Sequence, residues 1–242
     1  MRFNYHDRGS LAKSVFSHIN TSTIKRLLSI GDIHGCFDKL YELVEHRVKL
    51  RKDDKLVLLG DYIDRGPDSK GVLDYITGLR SEGFDIIALM GNHEDMMLRA
   101  RNNPMDIPGW ILNGGDATLS SFEVDSVGDI DTRYFGLLES LPKYHFHGNY
   151  IFVHGGFNDE IDDPFSDEQS MLWDRRFVYK SPQLKDRIIV HGHRPQKLPD
   201  LQENLQHNPS VINLDTGCVY GRSSGYGDLT ALELGENRLF YA

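Results

Sequence analysis

Six short apolar runs in this chain each end abruptly in a cluster of Asp, His, Asn and Gly. Residues 27–30 lead into GDIHG, 56–59 into GDYIDRG, and 86–90 into GNHE. Residues 150–153 lead into HGG, 188–190 into HGH, and 211–214 into DTG. Apolar runs this short, bounded by turn residues, read as buried strands rather than helices. The polar clusters then sit at the carboxyl ends of strands, the place where open α/β sheets bind ligands. The clusters are therefore expected to converge in space, although they lie far apart along the chain.

What lies between the runs supports a layered sheet. Phe37, Leu40, Tyr41, Val44 and Val48 recur at helical spacing, as do Val72, Leu73, Ile76 and Leu79, with Gly83 placed to stop the second helix. A helix also continues past GNHE through Met96 and Met97. Strand, polar turn and helix in repetition are the signature of βαβ units. The middle is less regular. Residues 102–116 hold two prolines and a Gly pair and read as a loop with a short helix. Residues 135–141 read as a helix stopped by Pro142, and 229–242 as a hairpin turning near 235–237. Several late strands without long helices between them suggest a second sheet packed on the first. A single domain over 1–242 is expected, with residues 1–23 as an arm or extra element.

The formal charge of −9 argues against general electrostatic capture of nucleic acid or of an anionic membrane. No apolar run approaches membrane-spanning length, and the first residues lack a signal-peptide core, so a cytoplasmic protein is expected. Two cysteines, Cys36 and Cys218, make no disulfide framework and read as isolated thiols.

The clusters carry a specific chemistry. Asp32 and His34 stand two apart, and alternate residues on an extended strand end point the same way, so both are expected to face one metal. Asp61 follows the second run, Asn92 and His93 the third, and His154 and His193 two later ones. Oxygen and imidazole donors without thiolate suit manganese, iron or zinc better than calcium. Six such donors exceed the needs of one catalytic ion with an open position but match two ions sharing a carboxylate. Paired ions about 3.5–4 Å apart serve in-line attack at phosphorus, and a water bridging them ionises near neutral pH. Asp61 is placed to bridge the ions, and Arg65 is a planar fork for two phosphoryl oxygens. Asp64 is left to orient an imidazole, for which His93 is available to protonate a leaving oxygen.

Taken singly, each cluster has a bland alternative. Asp-x-His can be a turn with a surface His, HGG and HGH can be turns with satisfied histidines, and Asn-His can be a helix cap. Their ordered recurrence at strand ends carries the argument.

In this order, GDIHG, GDYIDRG, GNHE, HGG and GH resemble the phosphoprotein-phosphatase family of binuclear metallophosphoesterases. GWILNGG, MLWDRR, VHGHRP and LDTGCVYG look like the intermediate motifs of that family's small phage and bacterial branch. The resemblance covers the chain from about residue 28 onward. It implies the α/β, calcineurin-like fold, a central β-sandwich of two mixed sheets flanked by helices. It places Asp32, His34 and Asp61 on a first ion, and Asp61, Asn92, His154 and His193 on a second. His93 becomes the general acid with Asp64 as its partner, and Arg65 and Arg175 grip the phosphate. His193 is preferred to His191 because the family's ligand is the His followed by a short polar turn and Pro.

The implied activity is metal-dependent hydrolysis of phosphoserine and phosphothreonine in proteins or peptides, with manganese the expected metal. A metal-bridging hydroxide would attack phosphorus directly, without a phosphoenzyme. Dinucleoside polyphosphate hydrolysis is the alternative. The symmetrical tetraphosphatases look similar at the first and last motifs, but are expected to carry Ala in place of Asp64 and Asp in place of Glu94. Asymmetrically cleaving relatives keep DRG. A non-catalytic binding module on the same fold would lack a ligand or the acid, and neither is missing from this sequence.

Other residues keep two readings. Trp110 is either the floor of a substrate cleft or packing beneath a loop, and Asp215 either orients a ligand His or caps turn amides. Arg176 competes with Arg175 for the phosphate, and His145 and His147 read as structural or surface.

Overall fold

The computed structural model describes residues 25–176, 178–221 and 225–242. The expected arm over residues 1–23 lies outside the described residues. The strands are β1 (Leu27–Ile30), β2 (Lys55–Leu58), β3 (Asp85–Ala88), β4 (Tyr144–His147), β5 (Tyr150–Val153), β6 (Ile188–His191), β7 (Val211–Asn213), β8 (Thr230–Leu234) and β9 (Arg238–Tyr241). One sheet has the order β3-β2-β1-β8-β9 and the other β4-β5-β6-β7. Both are mixed. β1, β2 and β3 run parallel, with Leu28 opposite Leu56 and Leu56 opposite Ile86, and β8 joins β1 antiparallel. β5, β6 and β7 run parallel, and β4 pairs antiparallel with β5.

The helices are α1 (Phe37–Tyr41), α2 (Ser69–Ser81), α3 (Asn92–Asn102) and α4 (Ile107–Trp110), then α5 (Asp116–Ser121), α6 (Thr132–Glu139), α7 (Glu168–Trp173) and α8 (Leu198–Leu205). α1 widens into π-helical turns over Glu42–Val48. Asp68 caps α2 by accepting the Gly71 N–H at 2.7 Å, and Asp131 caps α6 by accepting that of Arg133 at 2.9 Å.

Strand alternation sorts the core into layers. Val57, Leu59 and Leu232 of the first sheet share an apolar cluster with Phe152, Val190 and Ile212 of the second, which is the sandwich interior. Leu56 and Leu58 point the other way and pack with Val72, Leu73 and Ile76 of α2. On the far face, Ile151, Val153 and Ile189 pack with Met171 of α7. The result is two mixed sheets face to face with helices outside them, the arrangement that the resemblance implies.

Two elements differ from the sequence expectation. The segment read as a loop with a short helix is helical throughout, from Pro104–Asp106 through α4 and a π-helical Ile111–Gly115 into α5. Its prolines sit in first turns, where a missing N–H costs nothing, and Gly114 absorbs the kink at φ 104°. β4 is a strand of its own, formed by the residues around His145 and His147. The closing hairpin forms as expected and joins the first sheet. Cys36 and Cys218 are buried and unbridged, and Cys218 Sγ donates to Ile33 O at 2.9 Å. No helix among the described residues is long and apolar enough to cross a membrane.

Candidate active site

The polar clusters do meet, at the ends of β1, β2, β3, β5 and β6, but turns aim them rather than strand alternation. β1 stops at Ile30, before Asp32, and His34 has φ 46°. The expectation that Asp32 and His34 are aligned by an extended strand is corrected accordingly. Of the nine described non-glycine residues with positive φ, five belong to the clusters: His34, Asp61, Asp64, Arg65 and His193. Each such conformation costs about 1–3 kcal/mol and persists only where its surroundings hold it. Here the surroundings are hydrogen bonds between clusters. Ile33 and His34 donate their N–H groups to Asp61 O at 3.0 and 2.7 Å, and His93 N–H at the start of α3 donates to Asp61 Oδ1 at 3.1 Å. Gly91 permits this approach, since a Cβ there would stand 2.2 Å from Asp61 Oδ1.

Asp61 lies between two groups of possible metal ligands. His34, Asp61 and His93 offer ligand atoms within 4.8 Å of one another, and so do Asp61, His154 and His193. Asp61 Oδ2 is 3.5 Å from His34 Nε2, while its Oδ1 is 3.4 Å from His154 Nε2, so one carboxylate faces both sides. Asn92 Oδ1 joins the second group, 2.9 Å from His154 Nε2 and 3.0 Å from His193 Nδ1. The tautomers follow from the partners. His34 Nδ1 is 3.0 Å from Ile63 O and His154 Nδ1 is 2.9 Å from Leu59 O. A carbonyl only accepts, so each Nδ1 carries hydrogen and each Nε2 turns a lone pair toward Asp61. Burial lowers His34 and His193 to about 3 and lowers His154 as well, which keeps these imidazoles neutral near pH 7.

This donor set fits divalent metal ions. His154 Nε2 and Asn92 Oδ1 are both acceptors, and two acceptors at 2.9 Å favour a cation among them. Asp32 stands outside both trios. Its carboxylate accepts the His193 N–H at 3.1 and 3.0 Å, tying the last motif to the first. Burial, then the charges of Asp215 and Asp61, push Asp32 well above the usual carboxylate range. Such crowding of buried carboxylates is relieved by positive charge.

His93, a member of the first trio, also pairs with Asp64. His93 Nδ1 is 2.7 Å from Asp64 Oδ2, and His93 Nε2 is buried with no hydrogen-bond partner among the described residues. Burial alone would lower the His93 pKa, but Asp61 and Asp64 outweigh it and the net shift is upward. Asp64 also accepts from Trp110 Nε1 and from Thr118 Oγ1. Arg65 reaches the same space, with Nη1 2.8 Å from His34 Nε2.

The remaining candidates separate clearly. Arg175 is exposed, and its charge adds to burial in depressing His193, so it stands near the site. Arg176 instead pairs with Asp174 at 3.3 Å and Glu160 at 3.6 Å. His191 belongs to neither ligand trio, with Nδ1 2.9 Å from Gly192 O. Asp215 accepts the Gly217 N–H at 2.9 Å, the turn-capping arrangement. Trp110 is buried and hydrogen-bonded to Asp64, which neither of its sequence readings includes.

Glu94 was legible only as part of GNHE, yet it links the loops. Fully buried, it accepts the N–H groups of Gly91, Asp61 and Tyr62 at 2.8, 2.9 and 2.8 Å. The available signal was its position, three residues after Gly91 at the start of α3, which is capping-box spacing. Burial and the Asp61 charge push its carboxyl up to about 8, while the bonds from Tyr62 and Gly91 pull it down. Glu94→Ala orphans three buried donors. At about 1 kcal/mol or more each, that predicts a loss of at least ~3 kcal/mol and a Tm lower by roughly 6–12 °C, read by calorimetry.

A family model described as calcineurin-like phosphoesterase matches residues 25–232. The chain belongs to that family. This metallophosphoesterase is 38% identical over 224 residues to the serine/threonine-protein phosphatase 1 of Salmonella typhimurium, covering 86% of this chain and 94% of that one. It is 39% identical over 277 residues to a symmetrical bis(5'-nucleosyl)-tetraphosphatase of Serratia proteamaculans, covering 87% and 92%. It is 28% identical over 241 residues to the asymmetrical bis(5'-nucleosyl)-tetraphosphatase PrpE of Anoxybacillus flavithermus, covering 86% and 89%.

Proposed function

We propose that this phosphoesterase removes phosphate from phosphoserine and phosphothreonine in proteins or peptides. The observation that carries the proposal is the buried His93–Asp64 pair, at 2.7 Å, with His93 Nε2 unpartnered among the described residues. An alkoxide is a poor leaving group and needs a proton, whereas a nucleotide phosphate leaves with much less help. A complete acid pair therefore suits the phosphomonoester.

In this proposal Asp32, His34 and Asp61 would hold one divalent ion, and Asp61, Asn92, His154 and His193 another, with manganese the favoured metal. When bound, such ions supply Lewis acidity toward the phosphoryl oxygens and an activated water for in-line attack. The chain's own groups supply the rest. Asp64 accepts the hydrogen on His93 Nδ1 and keeps the imidazole in one tautomer. His93 Nε2 gives its proton to the departing oxygen. Arg65 binds two phosphoryl oxygens through its planar fork, with Arg175 joining from the rim.

Dinucleoside polyphosphate hydrolysis is the second reading, favoured by the names of two of the relatives. A panel with manganese present distinguishes the two. Phosphoserine and phosphothreonine peptides are expected to turn over with the higher kcat/KM, and dinucleoside tetraphosphates with the lower. The reverse order makes the second reading correct. Chelator is expected to abolish turnover of an aryl phosphate and added manganese to restore it; no turnover with manganese removes the enzyme proposal altogether.

A further inference from the structure

Asp64 and Arg65 are consecutive, and both have φ 69°. Two adjacent non-glycine residues in the left-handed region need support from outside their own turn. That support comes from the helical run over residues 110–118 and from the first residue of α2. Arg65 N–H donates to Gly114 O at 3.0 Å, and Asp64 N–H has Thr118 Oγ1 at 2.9 Å and Ser69 Oγ at 3.0 Å.

The same run grips the Asp64 side chain. Trp110 Nε1 forks across both oxygens at 3.1 and 3.0 Å, and Thr118 Oγ1 donates to Oδ1 at 2.6 Å. With His93 on Oδ2, the carboxylate is held from three directions and cannot rotate freely. Trp110, Thr118 and Asp64 are at most 1% exposed, so water does not substitute for any of these donors. Gly115 makes the indole's position possible, because a Cβ there would stand 2.5 Å from its ring.

We propose that Trp110 and Thr118 are positioning residues for the acid step, fixing Asp64 so that His93 presents Nε2 to the leaving oxygen. The proposal rests on the acid role given to His93 above. Neither residue touches substrate. Each acts through a hydrogen bond to a carboxylate that in turn holds the imidazole.

The test compares two substrates with manganese present. A phosphoserine peptide has an alkoxide leaving group that needs a proton, and p-nitrophenyl phosphate has one that does not. Thr118→Val removes the hydroxyl at nearly constant shape, and Trp110→Phe removes the N–H but keeps an aromatic ring. Each is expected to lower kcat on the peptide about 10- to 100-fold, short of the ~10²–10⁴-fold of losing an acid entirely. KM is expected to stay unchanged, p-nitrophenyl phosphate turnover to be largely spared, and Thr118→Ser to restore kcat. Equal losses on both substrates, or a loss carried by KM, overturn the proposal. Where Trp110→Phe loosens the fold, the Thr118→Val and Thr118→Ser pair still decides. His93→Asn on the same substrates separates the two claims. If it slows both alike, the acid role fails. If it is selective while Thr118→Val and Trp110→Phe are not, only the positioning claim fails.

Discussion

Asp61→Asn is expected to leave the protein folded but almost without metal and without turnover. Its two carboxylate oxygens face His34 and His154 from opposite sides, at 3.5 and 3.4 Å. Among the described residues, Asp61 alone belongs to both groups of possible ligands. An amide in its place brings one neutral oxygen and one N–H₂ group, so one side loses its oxygen donor and the centre loses a negative charge. Losing the Lewis acidity of a metal centre costs several kcal/mol, or three or more decades in kcat at about 1.4 kcal/mol per decade. Metal content by mass spectrometry after dialysis is the direct readout, with activity as the second. Full metal retention with full turnover would show that Asp61 is not the shared ligand. The Asp61 backbone contacts to Ile33 and His34 survive the change, because they use the carbonyl.

His93→Asn is expected to have the second largest effect, and the effect depends on the leaving group. On a phosphoserine peptide kcat should fall about 10²–10⁴-fold, the usual worth of a positioned acid. The pH profile gives an independent check. In the metal-free protein, Asp61 and Asp64 raise the His93 pKa above its ordinary 6.5 despite burial. A general acid works while protonated, so kcat should fall as pH rises through the pKa of His93. His93→Asn should remove this alkaline limb. A limb that survives the substitution assigns the titration to another group.

Much of this site could be read from the chain because its informative units are local. An apolar run of four or five residues followed by GDIHG or GNHE is visible without any tertiary contact, and β1, β2, β3, β5, β6 and β7 lie where those runs fall. Strand ends beyond which ligands bind follow from the same pattern. β4 was not read as a separate strand, because two histidines in a four-residue run leave too little apolar face to mark one. Residues 102–116 escaped because prolines and glycines were weighed as breakers, although prolines in first helical turns break nothing.

The sequence by itself determined the chemical inventory: which strands carry carboxylate, imidazole, amide and guanidinium at their tips, and in what order. These are properties of short segments, set by side-chain polarity and period. Only the tertiary structure decided how the inventory is held. It put His34, Asp61, Asp64, Arg65 and His193 into left-handed backbone conformations. It sent the last hairpin back to β1. It brought Trp110 and Thr118 to Asp64 across 46 and 54 residues of chain. The reason is physical. A buried carboxylate must find donors wherever packing delivers them, and that depends on how distant surfaces fit together, which no local periodicity records.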